Sequence, residues 1–297
     1  MGTYRFYTVD VFTEQPFAGN PLAVFPEAEG LTDPQMQSIA REMNLSETTF
    51  VFAPDDARNA AKVRIFTPSE ELPFAGHPTL GTAHVLVTSG AVATNGMVIL
   101  EEGVGPIAVS VTRHGARTNA QLSVAQLPIA GPPPPSREAL AKVLSIPEDA
   151  IAQEVPIEGV SCGVPYLFVQ VSGLEVIGSI RIDAARWDET IAIYWAKAVF
   201  VWTRETVRDA DIHARMFFTT TSILEDPATG SAAAAFAGHL GLREGADTGT
   251  VRWRIEQGVE MQRPSLLEVE ADKEDGRIVA VRVGGSTVSI SRGEMEI

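Results

Sequence analysis

Three short segments hold the side chains that could move a proton. The first is Asn44-Leu45-Ser46-Glu47-Thr48-Thr49-Phe50-Val51-Phe52. Glu47 sits between the end of an amphipathic stretch and an apolar run. A carboxyl group beside Phe50 and partly withdrawn from water is suited to take and return a proton near neutral pH. The plainer reading is a solvated loop glutamate. The second segment is Pro73-Phe74-Ala75-Gly76-His77-Pro78-Thr79. A helix that starts on glycine presents unpaired backbone N–H groups and the positive end of its dipole, which suits a carboxylate. His77 is there either as a polar partner or as a satisfied structural histidine. The third is Leu224-Glu225-Asp226-Pro227-Ala228-Thr229-Gly230-Ser231. Asp226 before Pro227 has the makings of a helix cap. Alternatively it orients His77 or a substrate amine, should the helix starts converge. Gly230-Ser231 repeats the glycine-led start, and two such ends facing one another would cradle an oxyanion without any basic side chain. The competing reading is two well-capped buried helices.

Other reactive residue types carry less. The five histidines (His77, His84, His114, His213, His239) form no HxH or HxxxH pair. A single cysteine, Cys162, excludes a disulfide framework and any thiolate cluster, so no metal site is expected. Cys162 has no recognisable base beside it and reads as inert. His84 and His239 lie inside helical segments and read as core.

Elements to position these groups are visible in the pattern. Segments 6–12, 22–25, 49–52, 62–66, 98–100 and 107–111 are short, rich in β-branched or aromatic residues, and mostly bounded by Gly, Pro or Asn, as strands are. A helix is expected from Asp33-Pro34, a cap residue followed by proline at the first helical position, with Met36, Ile39, Ala40 and Met43 on one face and Asn44 closing it. A second, apolar all round and therefore buried, follows Gly76 to about Val87. The run Gly131-Pro132-Pro133-Pro134-Pro135 reads as a stiff linker or a surface crossing, and as the best domain boundary. Beyond it come a helix capped by Ser136, strands at 166–171 and 198–202, a helix around 188–197, and an Ala-rich helix from Gly230 to Leu240 lined by small residues.

The two halves resemble each other. Val63-Arg64-Ile65-Phe66 precedes Gly76-His77-Pro78-Thr79, and Ala214-Arg215-Met216-Phe217 precedes Thr229-Gly230-Ser231-Ala232. The arginines are 151 residues apart and the helix-leading glycines 154 apart. Each half is thus expected to place a strand, a loop and a small-residue central helix.

Length and composition agree. A chain of 297 residues suggests two domains of roughly 150. With 45% apolar and 21% charged residues it is an ordinary globular protein, which excludes disorder, collagen and coiled coil. Thirty-eight acidic against 23 basic residues, a net charge of −15, would repel a nucleic-acid backbone. The sequence has no run of 18 apolar residues and leads from Met1-Gly2-Thr3-Tyr4-Arg5-Phe6 straight into strand pattern. Phe6 stands where a myristoylation motif needs Ser or Thr. A cytoplasmic protein without membrane or nucleic-acid partners is expected.

Taken in order, several segments resemble the phenazine-biosynthesis PhzF-like family. They are Val9–Phe12 with Pro16-Phe17-Ala18-Gly19-Asn20-Pro21-Leu22-Ala23-Val24-Phe25; Asn44–Thr48; Arg64–Pro68 with Phe74–Gly81; Gly163-Val164-Pro165-Tyr166-Leu167; Glu225–Ala232; and Glu256-Gln257-Gly258 with Arg263-Pro264-Ser265. The resemblance implies an α+β fold like that of diaminopimelate epimerase. Two similar domains would each wrap a curved, mostly antiparallel sheet or barrel around a central helix, with the site in the cleft between them. The boundaries expected are 1–127, with its helix near 77–87 and strand 282–297 returning to it, and 128–281, with its helix near 230–240. The comparable places to the cysteines of the related thiol racemases carry Ala75 and Pro227, so two-thiol racemisation is not available.

By the same resemblance Glu47 is the acid/base, His77 and Asp226 support it, and Asn20, Gly76, Gly230 and Ser231 bind substrate. It implies a cofactor-independent isomerase of a small carboxylate, without metal, acting as a homodimer. The family's characterised reaction shifts a double bond in a dihydro-hydroxyanthranilate ring. Tyr166 departs from the pattern, since histidine is common there. The alternative is a non-catalytic member that captures a small carboxylate or a protein.

Overall fold

The computed structural model describes residues 2–93, 95–219 and 223–297. Met1 and the side chain of Leu224 lie outside the described residues. The chain forms two compact units, Met1–Ser123 with Gly284–Ile297, and Val124–Val283.

The first unit contains β1 (Thr3–Val11), β2 (Asn20–Phe25), α1 (Asp33–Met43), β3 (Glu47–Phe52), β4 (Ala61–Phe66), β5 (Glu71–Leu72), α2 (Gly76–Thr88), β6 (Asn95–Glu102), β7 (Gly105–His114) and β8 (Arg117–Ser123). The second contains β9 (Ile129–Ala130), α3 (Arg137–Leu144), β10 (Glu158–Ser161), β11 (Pro165–Gln170), α4 (Leu174–Ser179), α5 (Ala184–Thr190), β12 (Ala198–Thr203), β13 (Ile212–Thr219), β14 (Ile223–Asp226), α6 (Gly230–Gly241), β15 (Gly249–Gln257) and β16 (Ser265–Glu274). Strand β17 (Arg277–Glu296) starts in the second unit and ends in the first.

In the first unit β1 runs antiparallel to β17 and β2, β2 parallel to β3, and β3 antiparallel to β4. Strand β4 carries β5 and runs parallel to β6, and β6, β7 and β8 form antiparallel pairs. Strand β8 meets β17, which closes the ring. Helix α2 threads this barrel and packs on β1, β2, β3, β6, β7 and β8. It is buried from Gly76 to Val87, as a helix apolar on all sides must be. Gly81 allows the close approach: a Cβ there would lie 2.5 Å from Leu22 Cδ2 and 2.9 Å from Val11 Cγ2. Helix α1 lies outside, covering Phe25, Phe50 and Phe66.

The second unit repeats the scheme. Strands β9, β10 and β11 are antiparallel, β11 runs parallel to β12, β12 antiparallel to β13, and β13 carries β14 and runs parallel to β15. Strand β15 pairs antiparallel with β16, which neighbours β17. Helix α6 packs on β10 and β11 at one end of this order and on β15 and β16 at the other, so the sheet curls around it. Its alanines and Phe236 are fully buried.

Side chains repeat with the topology. Phe50 pairs with Arg64, and Val201 with Arg215. Arg64 binds Glu71 through Nε and Nη2 at 2.7 Å each, and Arg215 binds Glu225 in the same two-pronged way at 2.8 and 2.7 Å. Glu101 accepts the amides of Asp55 and Asp56, and Glu256 those of Val207 and Arg208.

Several local expectations are corrected. The proline run 131–135 is not a boundary but part of the second unit, where Gly131 N donates to Gly159 O and Tyr194 donates to Pro132 O. The helix expected around 188–197 is α5, Ala184–Thr190, which Asp183 caps by accepting from Arg186 N. Trp187, Ile191 and Tyr194 keep a helical spacing and are all buried, but the chain leaves the helix halfway along it. Thr32, not Asp33, is the cap of α1, and its N and Oγ1 both donate to Gln35 Oε1.

Candidate functional site

In the first unit the parallel pair β2–β3 sets Leu22 opposite Glu47. Asn20, fully buried, opens β2, and Glu47 opens β3. Strand side chains alternate, so Glu47 shares a face with Thr49 and not with Phe50. Thr49 Oγ1 lies 2.9 Å from Thr82 Oγ1 of α2, which shows that this face looks inward. Phe50 faces the outer cluster under α1, so the expected neighbour of the carboxyl group is on the wrong side of the strand. The neighbour found instead is His77.

His77 Nε2 lies 3.1 Å from Glu47 Oε2, and the two side chains are only 7% and 15% exposed. Their alignment is poor for a hydrogen bond, and neither atom makes one elsewhere among the described residues. A buried acceptor left unmet costs about 1–3 kcal/mol, and such an arrangement is typical of groups kept ready for another partner. Ala75, at the cap of α2, supplies no capping side chain, and Gly76 follows as the first helical residue. The helix start therefore retains its positive end beside the Glu47–His77 pair.

In the second unit Asp226 ends β14 and does not cap α6 directly. Thr229 stands at the cap position and donates from Oγ1 to Asp226 Oδ2 at 2.5 Å. Gln257 fastens the same loop. Its Nε2 donates to Asp226 O at 2.7 Å and to Thr229 Oγ1 at 3.1 Å, and its Oε1 accepts from Thr229 N at 3.2 Å. Ser265 Oγ donates to Pro227 O at 2.8 Å. The Glu256-Gln257-Gly258 and Arg263-Pro264-Ser265 segments thus form the seat of the lead-in to α6. Gly230 is buried at the first position of that helix, and Ser231 Oγ lies 2.7 Å from the Tyr166 hydroxyl.

The duplicated register places the two units' residues in correspondence. Glu47 corresponds to Ala198, Leu22 to Tyr166, Gly76 to Gly230, and His77 to Ser231. The counterpart of Ala75 is Thr229, not Pro227, and neither cap position carries cysteine. Glu102 was not singled out by sequence reasoning, and Gln257 and Thr229 stood only inside longer matching segments, without a role. The signal was present in Leu100-Glu101-Glu102-Gly103 against Ile255-Glu256-Gln257-Gly258.

His84 and His239 are structural. Burial, helped by Arg113, pushes His84 down to about 4, and its ring bridges Thr118 and Ser289. Burial also lowers His239, which stacks on Phe168 and bonds Glu158. Burial holds the Cys162 thiol protonated, pushed up to about 12. Among the described residues no group of three or more His, Cys, Asp or Glu is placed to hold a metal ion, and no helix is long and apolar enough to cross a membrane.

Comparison with known proteins gives a consistent result. The model of a family described as phenazine biosynthesis-like protein matches residues 9–293. An uncharacterised isomerase of Mesorhizobium japonicum is 40% identical over 302 residues, covering 100% of both chains. A trans-2,3-dihydro-3-hydroxyanthranilate isomerase of Pseudomonas fluorescens is 37% identical over 294 residues, covering 98% of each. The crystal structure of a PhzF-family protein of Bacillus anthracis shares the fold, with a TM-score of 0.90 at 24% identity over 100% of both chains.

Proposed function

Since the chain belongs to the phenazine biosynthesis-like PhzF family, and to the isomerases within it, we propose that it moves a proton, and with it a double bond, on a small carboxylate by acid/base catalysis at Glu47. The observation that carries this reading is the Glu47–His77 contact at 3.1 Å, nearly sealed from water at an uncapped helix start. In the proposed cycle the Glu47 carboxylate takes a proton from a ring carbon while electron density moves toward the substrate's carboxyl group. The protonated Glu47 then returns the hydrogen to another carbon of the conjugated system. Nothing is oxidised or reduced, so the cycle is proposed to run without a cofactor. His77 stands beside the Glu47 carboxyl and is proposed to offer its Nε2 hydrogen to developing negative charge. Asp226 is proposed to support the acid/base, and Asn20, Gly76, Gly230 and Ser231 are proposed to bind the substrate. A positioned general base of this kind contributes about 10²–10⁴-fold.

The substrate tested first is trans-2,3-dihydro-3-hydroxyanthranilate, on which the named relatives act. The dialysed, chelator-treated enzyme is incubated with it in D2O and the product read by mass spectrometry. Turnover is expected from the wild type, with solvent deuterium in the product to the extent that the Glu47 proton exchanges before it is returned. Glu47→Gln is expected to remove both while changing stability by no more than about 1 kcal/mol. Undiminished turnover in Glu47→Gln would refute the assignment. Binding without any exchange would favour a non-catalytic carboxylate-binding protein.

A further inference from the structure

The buried Glu102 is used by none of the steps above, yet it touches the turn that carries His77. Thr79 Oγ1 lies 2.7 Å from Ala75 O and 2.7 Å from Glu102 Oε1. A hydroxyl has one hydrogen to give. On a helix it goes to the carbonyl four residues back, here Ala75 O. The second short contact then needs a hydrogen from Glu102. The other unit supplies an independent parallel. Pairing of Lys62 with Glu101 and of His213 with Glu256 places Glu102 and Gln257 at the same position of the fold. Gln257 is a neutral donor there, giving Nε2 hydrogens to Thr229 Oγ1 and Asp226 O. Glu102 is only 8% exposed, and its Oε2 has no partner among the described residues.

We propose that Glu102 is a positioning residue that keeps its proton in the working enzyme and donates it to Thr79 Oγ1, thereby fixing the first turn of α2 and the place of His77 beside Glu47. Its role in catalysis rests on the reading of that pair given above; its protonation does not. Burial favours the neutral acid, raising it to about 8 against the weaker opposing pull of the Thr79 contact. Charged groups on the surrounding elements are engaged elsewhere. Glu101 on β6 accepts amides of the 55–56 turn, Lys62 and Arg64 on β4 pair with Asp55 and Glu71, and Arg113 on β7 donates to Gly115 O. On α2, His77 faces Glu47, and His84 bonds Thr118 and Ser289; His114, at the end of β7, is exposed.

The linkage has a definite sign. An acid raised in the folded state contributes stability that is full below 4.5, its ordinary value, and is lost as pH rises through about 8. The test compares wild type, Glu102→Gln and Glu102→Leu. The infrared spectrum of the wild type in D2O should show a protonated-carboxyl band at about pH 6 that disappears by about pH 10 and is missing in Glu102→Gln. The melting temperature of the wild type should fall relative to that of Glu102→Gln between about pH 5 and 9. With trans-2,3-dihydro-3-hydroxyanthranilate at pH 7, Glu102→Leu should lose about tenfold or more in kcat, as displaced catalytic groups do, and Glu102→Gln should restore most of it. Absence of the band, parallel melting profiles, or equal impairment of the two variants overturns the proposal. The first two readouts need no substrate, so they stand even where Glu47→Gln retains turnover and the catalytic reading fails.

Discussion

Gly258 and Gly276 offer a paired test of whether the lead-in to α6 is held by direct backbone contact. Both are left-handed, with φ of +75° and +74°. Replacing either with alanine incurs the same conformational cost, about 1–2 kcal/mol. Their surroundings differ. A Cβ on Gly276 meets only Asp247 Oδ1, at 3.8 Å. A Cβ on Gly258 would lie 2.6 Å from both Arg263 O and Pro227 O and 3.0 Å from Pro227 Cα. These are backbone atoms and cannot rotate away. Relief requires moving the 227 or 263 segment, which strains the Ser265–Pro227 bond of 2.8 Å and the Arg263 N–Gly258 O bond of 3.0 Å. At about 1 kcal/mol for each bond, with about 1–3 kcal/mol for overpacking, Gly258→Ala should lose about 3–5 kcal/mol beyond Gly276→Ala. Urea unfolding followed by circular dichroism measures the difference directly. Turnover should also fall in the folded fraction of Gly258→Ala, because Asp226 and Thr229 move with Pro227, and stay normal in Gly276→Ala. Equal stability of the two variants would show that the close approach is not a constraint and that the seat of the α6 lead-in has been misread.

Three further outcomes follow from other contacts. Burial alone would lower His213, but its hydrogen bonds to Glu256 and Glu260 outweigh that and hold it up at about 9. Its contribution is therefore full below its ordinary value of 6.5 and lost as pH rises through about 9. The difference in unfolding free energy between wild type and His213→Gln should shrink by about 3 kcal/mol from pH 6 to 10, and parallel pH profiles would contradict this. Tyr166→Phe removes the 2.7 Å contact with Ser231 and should cost about 1 kcal/mol. If Ser231 binds substrate, steady-state kinetics should show the change in KM more than in kcat. Cys162, pushed from 9.0 to about 12, should alkylate about a thousandfold more slowly in the folded protein than in the urea-unfolded chain, and comparable rates would show the thiol to be free.

The parts legible in the sequence are those in which one residue type admits few environments. A helix whose apolar or small residues surround it, as Leu80, Ala83, Val85 and Leu86 do in α2 and the alanines in α6, has to be enclosed, so both could be expected as central helices from the sequence. Strand alternation gave β1 to β4, β6, β7, β11 and β12 to within about three residues, but not β8, β10, β15 or β16. The limits have physical causes as well. Residues 187, 191 and 194 keep helical spacing because all three meet the same core, although only the first is helical. Asp226 resembles a cap because it precedes a proline, yet three residues of loop separate it from the helix, and Thr229 takes the position instead. Glu47 and Phe50 are close in sequence but lie on opposite faces of β3. Glu102 and Gln257 are remote in sequence from the turns they secure, and no local pattern marks them. Only comparison of the two halves brings them out.

That comparison also separates scaffold from chemistry within a single chain. Where the copies agree, the shared residues hold strands and turns: Arg64–Glu71 with Arg215–Glu225, Glu101 with Glu256, and Gly19-Pro21 with Gly163-Pro165. A duplicated barrel needs these contacts in both copies, whatever reaction it supports. Where the copies differ, the fold is indifferent and another demand has chosen the residue. At the mouth of the first barrel stand Leu22, Glu47 and His77; the same places in the second hold Tyr166, Ala198 and Ser231. The first set joins a carboxyl group to an imidazole, two groups that can take up and release a proton. The second can only give and accept hydrogen bonds. Under the function proposed above, proton transfer falls to the first helix start and binding to the second. A variant enzyme with Glu47 removed and Ala198→Glu introduced should fold but not regain turnover, because the new carboxyl group would face Ser231 rather than an imidazole. Recovery of activity in that double variant would show the two helix starts to be interchangeable and undo the division of labour.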